Sequence, residues 1–279
     1  MEHFSVFHLF LWDPILFEGT PYEVNRVVLL TFLAAAACIT FFVLGGKGQL
    51  IPKGIQNVAE SAYLFVRDRI AIDIIGPEGV KYSDYLTTLF FFILFCNVLE
   101  VLPGIHLPVT ARMAIPAFLA FMTYIIYNFV GFQKQGFRYL KNILFPPGVP
   151  WPVYIILTPI EFFSVFLIRP MTLAIRLMAN MMAGSVLLAL FFIFTDDLLT
   201  SKSVGIVLAP VTFLVAVGLF FFEMLVIFIQ AYIFTLLSAF YIAESLHGHG
   251  DEPHLDTAHV TGGSEPPRHQ LEGIAEGTV

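Results

Sequence analysis

Long apolar blocks, separated by shorter polar segments, dominate the pattern of hydrophobic and polar positions along the chain. About 20 apolar residues are enough for a helix to cross the ~30 Å hydrocarbon core of a bilayer. The pattern therefore predicts membrane-spanning helices at about residues 27–44, 84–103, 112–133, 153–195 and 204–246. The predicted fold class is an all-α integral membrane protein.

The last two blocks are about twice as long as one crossing requires, because a helix of ~40 residues extends ~60 Å. We expect 153–195 and 204–246 to form a long, strongly tilted helical hairpin, bent near Pro170 and Pro210. An alternative would split the first block before Pro170 into two crossings. The first of these would be short for a transmembrane helix.

Residues 54–72 have a different pattern from the spans. Ile55, Val58, Ala62 and Phe65 recur at helical spacing, with charged residues between them. This arrangement is typical of an amphipathic helix that lies at the membrane surface.

The composition agrees with a membrane protein, since 58% of the residues are hydrophobic and 13% are charged. A soluble domain typically carries about twice that charge. The pattern predicts one membrane domain over 1–246 and a disordered, acidic, His-rich tail over 247–279. The net charge of −7 gives no support for nucleic-acid binding. Cys38 and Cys96 lie in apolar blocks, and we expect no metal and no cofactor.

Basic residues predict the orientation of the chain in the membrane. Lys47, Lys53, Arg67, Arg69 and Lys81 follow the first span, only Arg112 follows the second, and Lys134, Arg138 and Lys141 follow the third. Because cytoplasmic loops carry the excess of Lys and Arg, the N-terminus should be outside. If 153–195 crosses once, the C-terminal tail is cytoplasmic, and if it crosses twice, the tail is outside.

Polar side chains interrupt the two longest blocks at helical spacing. Arg169, Thr172, Arg176 and Asn180 lie three or four residues apart and form one stripe on a helix. Glu223 and Gln230 share a face of the next block. A charge at the bilayer centre costs ~3 kcal/mol or more, so these groups should face protein, water or a partner.

Several interpretations of these residues stay open at this point. Arg176 and Glu223 could form a structural ion pair between two helices. The number of polar groups on this face favours a hydrated path instead. Arg169 could extend to the membrane interface or have a functional role. Glu161 and Glu100, near the ends of their spans, could be boundary carboxylates or proton carriers.

The segments RPMTLAIRLMANMMAG, FFEMLVIFIQAYIFTLLSAFYIAESLHG and FCNVLEVLPG resemble subunit a of F-type ATP synthases. The resemblance extends from the first span to about residue 246. It implies a stator beside a ring of c subunits, each with one buried carboxylate. Two offset aqueous half-channels would lead protons to and from that ring. This flow would drive ring rotation and ATP synthesis.

The resemblance also implies roles for individual residues. Arg176 matches the essential arginine of the family, and its guanidinium would face the c-ring carboxylates without losing its proton. Asn180 matches the asparagine of the same motif, and Gln230 matches the glutamine of the last helix.

Acidic residues of the chain match further positions of the family. Glu223 occupies a position at which members carry Glu or His. At Ser185 many members have Glu or His, so Glu223 alone should carry the proton in this layer. Glu161 and Glu100 match acidic positions linked to the two half-channels.

The implied partners are the c-ring, the peripheral-stalk subunit b and the lipid bilayer of the cell's inner membrane. The chain would be a non-nucleotide-binding subunit of a proton-transporting two-sector ATPase, with no chemistry of its own. The rival hypothesis is a self-sufficient ion transporter or channel. Such transporters often contain inverted repeats, and no internal repeat is recognisable in this sequence.

Overall fold

The structure is a computed structural model that describes residues 25–46, 53–101, 109–145, 151–200 and 205–247. Within these ranges the regular structure is helical throughout, and five helices are long and apolar enough to cross a membrane. The predicted fold class, an all-α integral membrane protein, is confirmed. The predicted tail, apart from His247, lies outside the described ranges.

Helix boundaries in the first half of the chain follow the apolar blocks. Helix α1 spans Arg26–Gly45, α2 Ile55–Val66, α3 Ser83–Val101, α4 Ala114–Gln135 and α5 Arg138–Leu144. A π-helical turn (Arg67–Ile72), a short helix (Asp73–Ile75) and a 3-10 turn (Pro77–Tyr82) connect α2 to α3. Helix α2 buries Ala59 and Val66 against the rest of the chain, whereas Ile55 and Val58, which belong to the predicted apolar face, are exposed.

The second half is built from three helices. Helix α6 spans Trp151–Phe163, α7 Arg169–Thr200 and α8 Gly205–His247. Helix α7 continues through Asp196 and Asp197, beyond residue 195, where the predicted span ends. The Thr200 hydroxyl donates to the Asp196 carbonyl at 3.0 Å. Such a bond satisfies one of the carbonyls that the last helical turn leaves without a backbone donor.

Pro170 shapes the junction between α6 and α7 through a π-helical turn that precedes it, Ser164–Ile168. In this turn the Arg169 N–H donates to the Ser164 carbonyl, five residues back. The next donor in that register would be Pro170, which has no N–H. The Val165 carbonyl instead accepts a hydrogen bond of 3.0 Å from the Tyr127 hydroxyl of α4. The irregular turn is therefore anchored by a neighbouring helix.

Helices α7 and α8 form an antiparallel hairpin. Its register is defined near the connection by a 3.1 Å hydrogen bond between the hydroxyls of Thr195 and Thr212. Further along the hairpin, Gly184 contacts Glu223. At its far end, Arg169 is paired with Glu244. Because the partners on α8 come earlier in the chain as the residues of α7 come later, the two helices run antiparallel alongside each other over most of their length.

One side of this hairpin is covered and the other is not. Helices α3 and α4 pack against the covered side, and α3 also packs against α1. Leu86, Phe90 and Ile93 of α3 are almost completely buried as a result. The opposite side exposes large apolar residues such as Leu190 and Leu225, which makes it a surface for lipid or for another protein.

Candidate functional site

Arg176 lies on the exposed side of α7. Leu173, Ala174 and Leu177 occupy the buried side of the same helix, so the geometry of the helix turns the Arg176 side chain outward. Among the described residues, no carboxylate lies within 4.0 Å of its guanidinium. The structural ion pair between Arg176 and Glu223, one of the two interpretations open from the sequence, is therefore not formed.

Glu223 faces the interior of the hairpin and is 8% exposed. Its carboxyl group lies directly against the backbone of Gly184 on α7, so closely that a β-carbon at this position would overlap with it. The Oε1 atom of Glu223 is buried and has no hydrogen-bond partner within the part of the chain that the structure describes. A buried polar atom without a partner is costly, so this group needs a proton, water or both.

A cavity of about 210 Å³ opens beside this carboxyl group. It is lined by Asn180, Ala183, Gly184, Leu187 and Leu188 of α7 and by Leu219, Phe222, Glu223 and Val226 of α8. A water molecule occupies ~30 Å³ in the liquid, so the cavity has room for several. The site therefore combines a carboxyl group with space for water at the helix interface.

Two side-chain amides with buried nitrogen atoms, those of Asn180 and Gln230, extend the polar face along the hairpin. The Asn180 side chain lines the cavity, and its Nδ2 atom has no hydrogen-bond partner among the described residues. Gln230 is 5% exposed, and its Nε2 atom likewise has no hydrogen-bond partner among the described residues. Both amides could donate to water or to a group that passes between the helices. Asn180 and Glu223 thus line the same cavity, and Gln230 lies seven residues after Glu223 on α8.

Arg169 has a partner that the sequence interpretation missed. Its guanidinium forms a bidentate ion pair with Glu244 of α8, and Nη2 donates to Oε1 at 2.8 Å. It neither extends freely to the interface nor lines the cavity beside Glu223. Glu244 lies within the predicted span 204–246, two residues before its end, and the sequence analysis assigned it no role. The presence of two arginines on α7 and two glutamates on α8 could have indicated this pair.

Comparison with known proteins identifies the family. The sequence model described as ATP synthase A chain matches residues 28–243. ATP synthase subunit a of Rhodococcus erythropolis is 40% identical over 237 residues, which cover 84% of this chain and 86% of that protein. The corresponding subunit of Parafrankia sp. is 43% identical over 233 residues, covering 82% and 78%. That of Frankia alni is 39% identical over 250 residues, covering 88% and 86%.

The chain belongs to the ATP synthase subunit a family. Members of this family are the proton-translocating subunits of the membrane sector, so the chain is a component of a proton-transporting ATP synthase. The five apolar helices agree with a multi-pass membrane subunit. The resemblance noted from the sequence and the function inferred from it are thus confirmed at the level of the family.

The remaining predicted residues of this subunit a chain lie in different settings. Glu161 is partly exposed on α6. The Ser185 hydroxyl donates to the Met181 carbonyl at 2.7 Å, within the same helix. The side chain of Glu100, near the end of α3, lies outside the described part of the structure. In the described ranges no group of three or more His, Cys, Asp or Glu residues could hold a metal ion.

Proposed function

We propose that this chain is the stator across which protons reach and leave the carboxylates of a rotating c-ring, with Arg176 as the fixed counter-ion. The observation that carries the proposal is the exposed position of Arg176 on α7, without a carboxylate partner among the described residues. A guanidinium remains charged at any physiological pH, and in a membrane it needs a counter-ion or water. A rotor carboxylate supplies that counter-ion from outside the chain.

The charge of Arg176 performs two tasks in this mechanism. It favours the ionised form of a carboxylate that arrives opposite it, and thereby drives proton release. It also repels protons, and so separates one half-channel from the other. Each proton that crosses the membrane is worth ~2.3 kcal/mol per 100 mV, and a direct leak would dissipate this free energy.

One half-channel reaches the ring through the cavity beside Glu223. The cavity gives the carboxyl group access to water, and Asn180 and Gln230 provide amides whose nitrogen atoms are buried. We assign proton relay to Glu223 because it is the carboxyl group that this cavity touches. Ser185, whose hydroxyl is bonded to its own helix, contributes polarity and no proton of its own.

Glu100 belongs to the same half-channel in this proposal. The residue after it, Val101, packs in one buried cluster with Met181 of α7 and Ile227 of α8. Ile227 is one helical turn from Glu223, so the end of α3 comes close to the cavity. Three residues before Glu100, the Asn97 side chain accepts a buried hydrogen bond of 2.9 Å from the Thr110 hydroxyl. This bond adds polarity to the region.

Glu161 serves the other half-channel. It lies on α6, fifteen residues before Arg176, and the helix between them continues through the π turn. At 1.5 Å per residue this separates the two side chains by ~22 Å along the helix, on the opposite side of Arg176 from the Glu223 cavity. Its partial exposure gives it access to water from that side.

The c-ring is the partner that this surface suits best. Ala179 and Ala183 lie on α7 one and two turns after Arg176, and both are exposed. Small residues let a neighbouring membrane helix approach closely, which would bring a rotor carboxylate to the guanidinium. Subunit b of the peripheral stalk and the lipid bilayer would cover other parts of the exposed apolar surface.

We further propose that the chain lies in the inner membrane with its N-terminus outside and its tail in the cytoplasm. Lys134 lies in the last turn of α4 and Arg138 follows that helix, and the continuous helix from 151 to 200 supports a single crossing there. With this orientation the Glu223 cavity opens toward the outside. Glu161 and the Arg169–Glu244 pair lie on the cytoplasmic side of Arg176.

The assembled ATP synthase with Arg176→Ala tests the proposal. We expect the complex to assemble but ATP-driven proton pumping into membrane vesicles to be lost. Arg176→Lys should also lose most of the pumping, because a lysine can release its proton in such a site. The control Arg69→Ala changes an exposed arginine of the amphipathic segment and should pump normally. Normal pumping by Arg176→Ala would overturn the proposal.

A second experiment separates this function from a self-sufficient transporter. The purified chain is reconstituted alone into liposomes, and in parallel with the c-ring. Selective proton flux should require the ring, because the counter-ion of Arg176 is on it. Rapid flux through the chain alone would favour the transporter.

A further inference from the structure

The ion pair between Arg169 and Glu244 joins the first turn of α7 to the last turn of α8. Both nitrogens of the guanidinium fork donate to the carboxylate, an arrangement that gives strong and directional pairing. The two side chains are 18% and 17% exposed, so solvent screens them little. The Arg169 guanidinium also lies over the ring of Tyr241, 5.4 Å from its centroid.

Neutral groups form the described hydrogen bonds to Ser245, the residue next to this pair. The Tyr139 hydroxyl shares a hydrogen bond of 3.2 Å with the hydroxyl of Ser245, next to Glu244. Burial raises the pKa of Tyr139, so it remains protonated at physiological pH. Gln135 donates to the Ser245 carbonyl at 3.0 Å. Within the described surroundings, Glu244 is thus the group that balances the charge of Arg169.

Arg169 and Arg176 are close enough for their charges to matter to each other. They are seven residues apart on one helix, which corresponds to ~10 Å along its axis and to nearly the same face. Without Glu244, both Arg169 and Arg176 would be uncompensated cations on nearly the same face of α7. With Glu244 in place, only Arg176 is uncompensated.

We propose that Glu244 neutralises Arg169, so that Arg176 is the only uncompensated cation of α7 that a rotor carboxylate meets. This inference rests on the proposed function. A second free cation on the cytoplasmic side of Arg176 would repel protons in the half-channel served by Glu161 and would attract the rotor carboxylate to a second position. Glu244 is therefore a positioning residue that acts through Arg169, and it does not itself touch the rotor.

A double-mutant experiment distinguishes charge neutralisation from a mechanical clamp. In the full complex, Glu244→Gln keeps the shape of the side chain but leaves Arg169 uncompensated. We expect passive proton conduction through the membrane sector to fall at least ten-fold. Arg169→Gln removes the cation itself and should change conduction less than two-fold. The double variant Arg169→Gln with Glu244→Gln should return to within two-fold of the parent.

A clamp predicts the opposite pattern, because either single substitution breaks it and the double variant cannot restore it. Losses of equal size in both single variants, no recovery in the double variant, or normal conduction by Glu244→Gln would each overturn the inference. If the complex with Glu244→Gln does not assemble, the double variant distinguishes neutralisation from a clamp. Assembly and conduction by the double variant support neutralisation, and its failure to assemble overturns it.

Two controls distinguish a failure of this inference from a failure of the proposed function. Glu78→Gln breaks the exposed ion pair with Lys134, whose Nζ–Oε1 distance is 2.6 Å, and should leave conduction unchanged. Arg176→Ala is measured in the same preparation. If it abolishes pumping while Glu244→Gln has no effect, the neutralisation fails and the stator function stands. If Arg176→Ala pumps normally, the function itself fails.

Discussion

The carboxyl group of Glu223 lies against Gly184 so closely that any side chain at position 184 would overlap with it. This contact determines where the carboxyl group sits relative to the cavity at the α7–α8 interface. Glycine at position 184 thus allows the carboxyl group to reach the neighbouring helix. The relationship joins a packing requirement on α7 to the proton-relay role that we propose for a residue of α8.

Gly184→Ala should therefore displace the Glu223 carboxyl group or push the two helices apart. Overpacking of this kind costs about 1–3 kcal/mol. We expect passive proton conduction by the assembled membrane sector to fall several-fold, and this can be measured in vesicles after the ATPase sector is removed. The matched control is Gly218→Ala on α8, where a β-carbon meets no atom within 4 Å. Equal conduction by both variants would contradict the importance of the contact.

Glu223→Gln tests the relay directly, because the amide keeps the size of the carboxyl group but cannot take up and release a proton in the same way. We expect proton conduction to decrease at least ten-fold while the complex assembles normally. Glu60→Gln, at an exposed position of α2, is the control and should conduct like the parent. Unchanged flux in Glu223→Gln would remove this residue from the path.

Tyr127→Phe tests the anchoring of the π turn. The substitution removes the donor to the Val165 carbonyl, and Val165 is 1% exposed, so water does not readily replace the hydroxyl. A buried acceptor left without a partner costs about 1–3 kcal/mol. We expect a lower Tm of the purified complex, measured by thermal denaturation in detergent. In the control Tyr124→Phe the lost hydroxyl makes no hydrogen bond to the described residues, and the Tm should not change.

The sequence by itself determined the class of the molecule and most of its elements. Hydropathy and helical periodicity are local properties, and for this reason apolar blocks such as 27–44 predict α1 and the other spans well. The same locality explains how the sequence pointed to Arg176, since a charge inside an apolar block is visible without any structure. The motif around it also indicated the family.

The tertiary structure alone decided which of these polar groups meet. The Arg169–Glu244 pair, the contact of Glu223 with Gly184 and the outward position of Arg176 all depend on the axial register and rotation of α7 against α8. A rotation of ~100° per residue separates one face of a helix from the next. Partners 75 residues apart in the chain are therefore selected by packing against α3 and α4, which no local pattern in the sequence encodes.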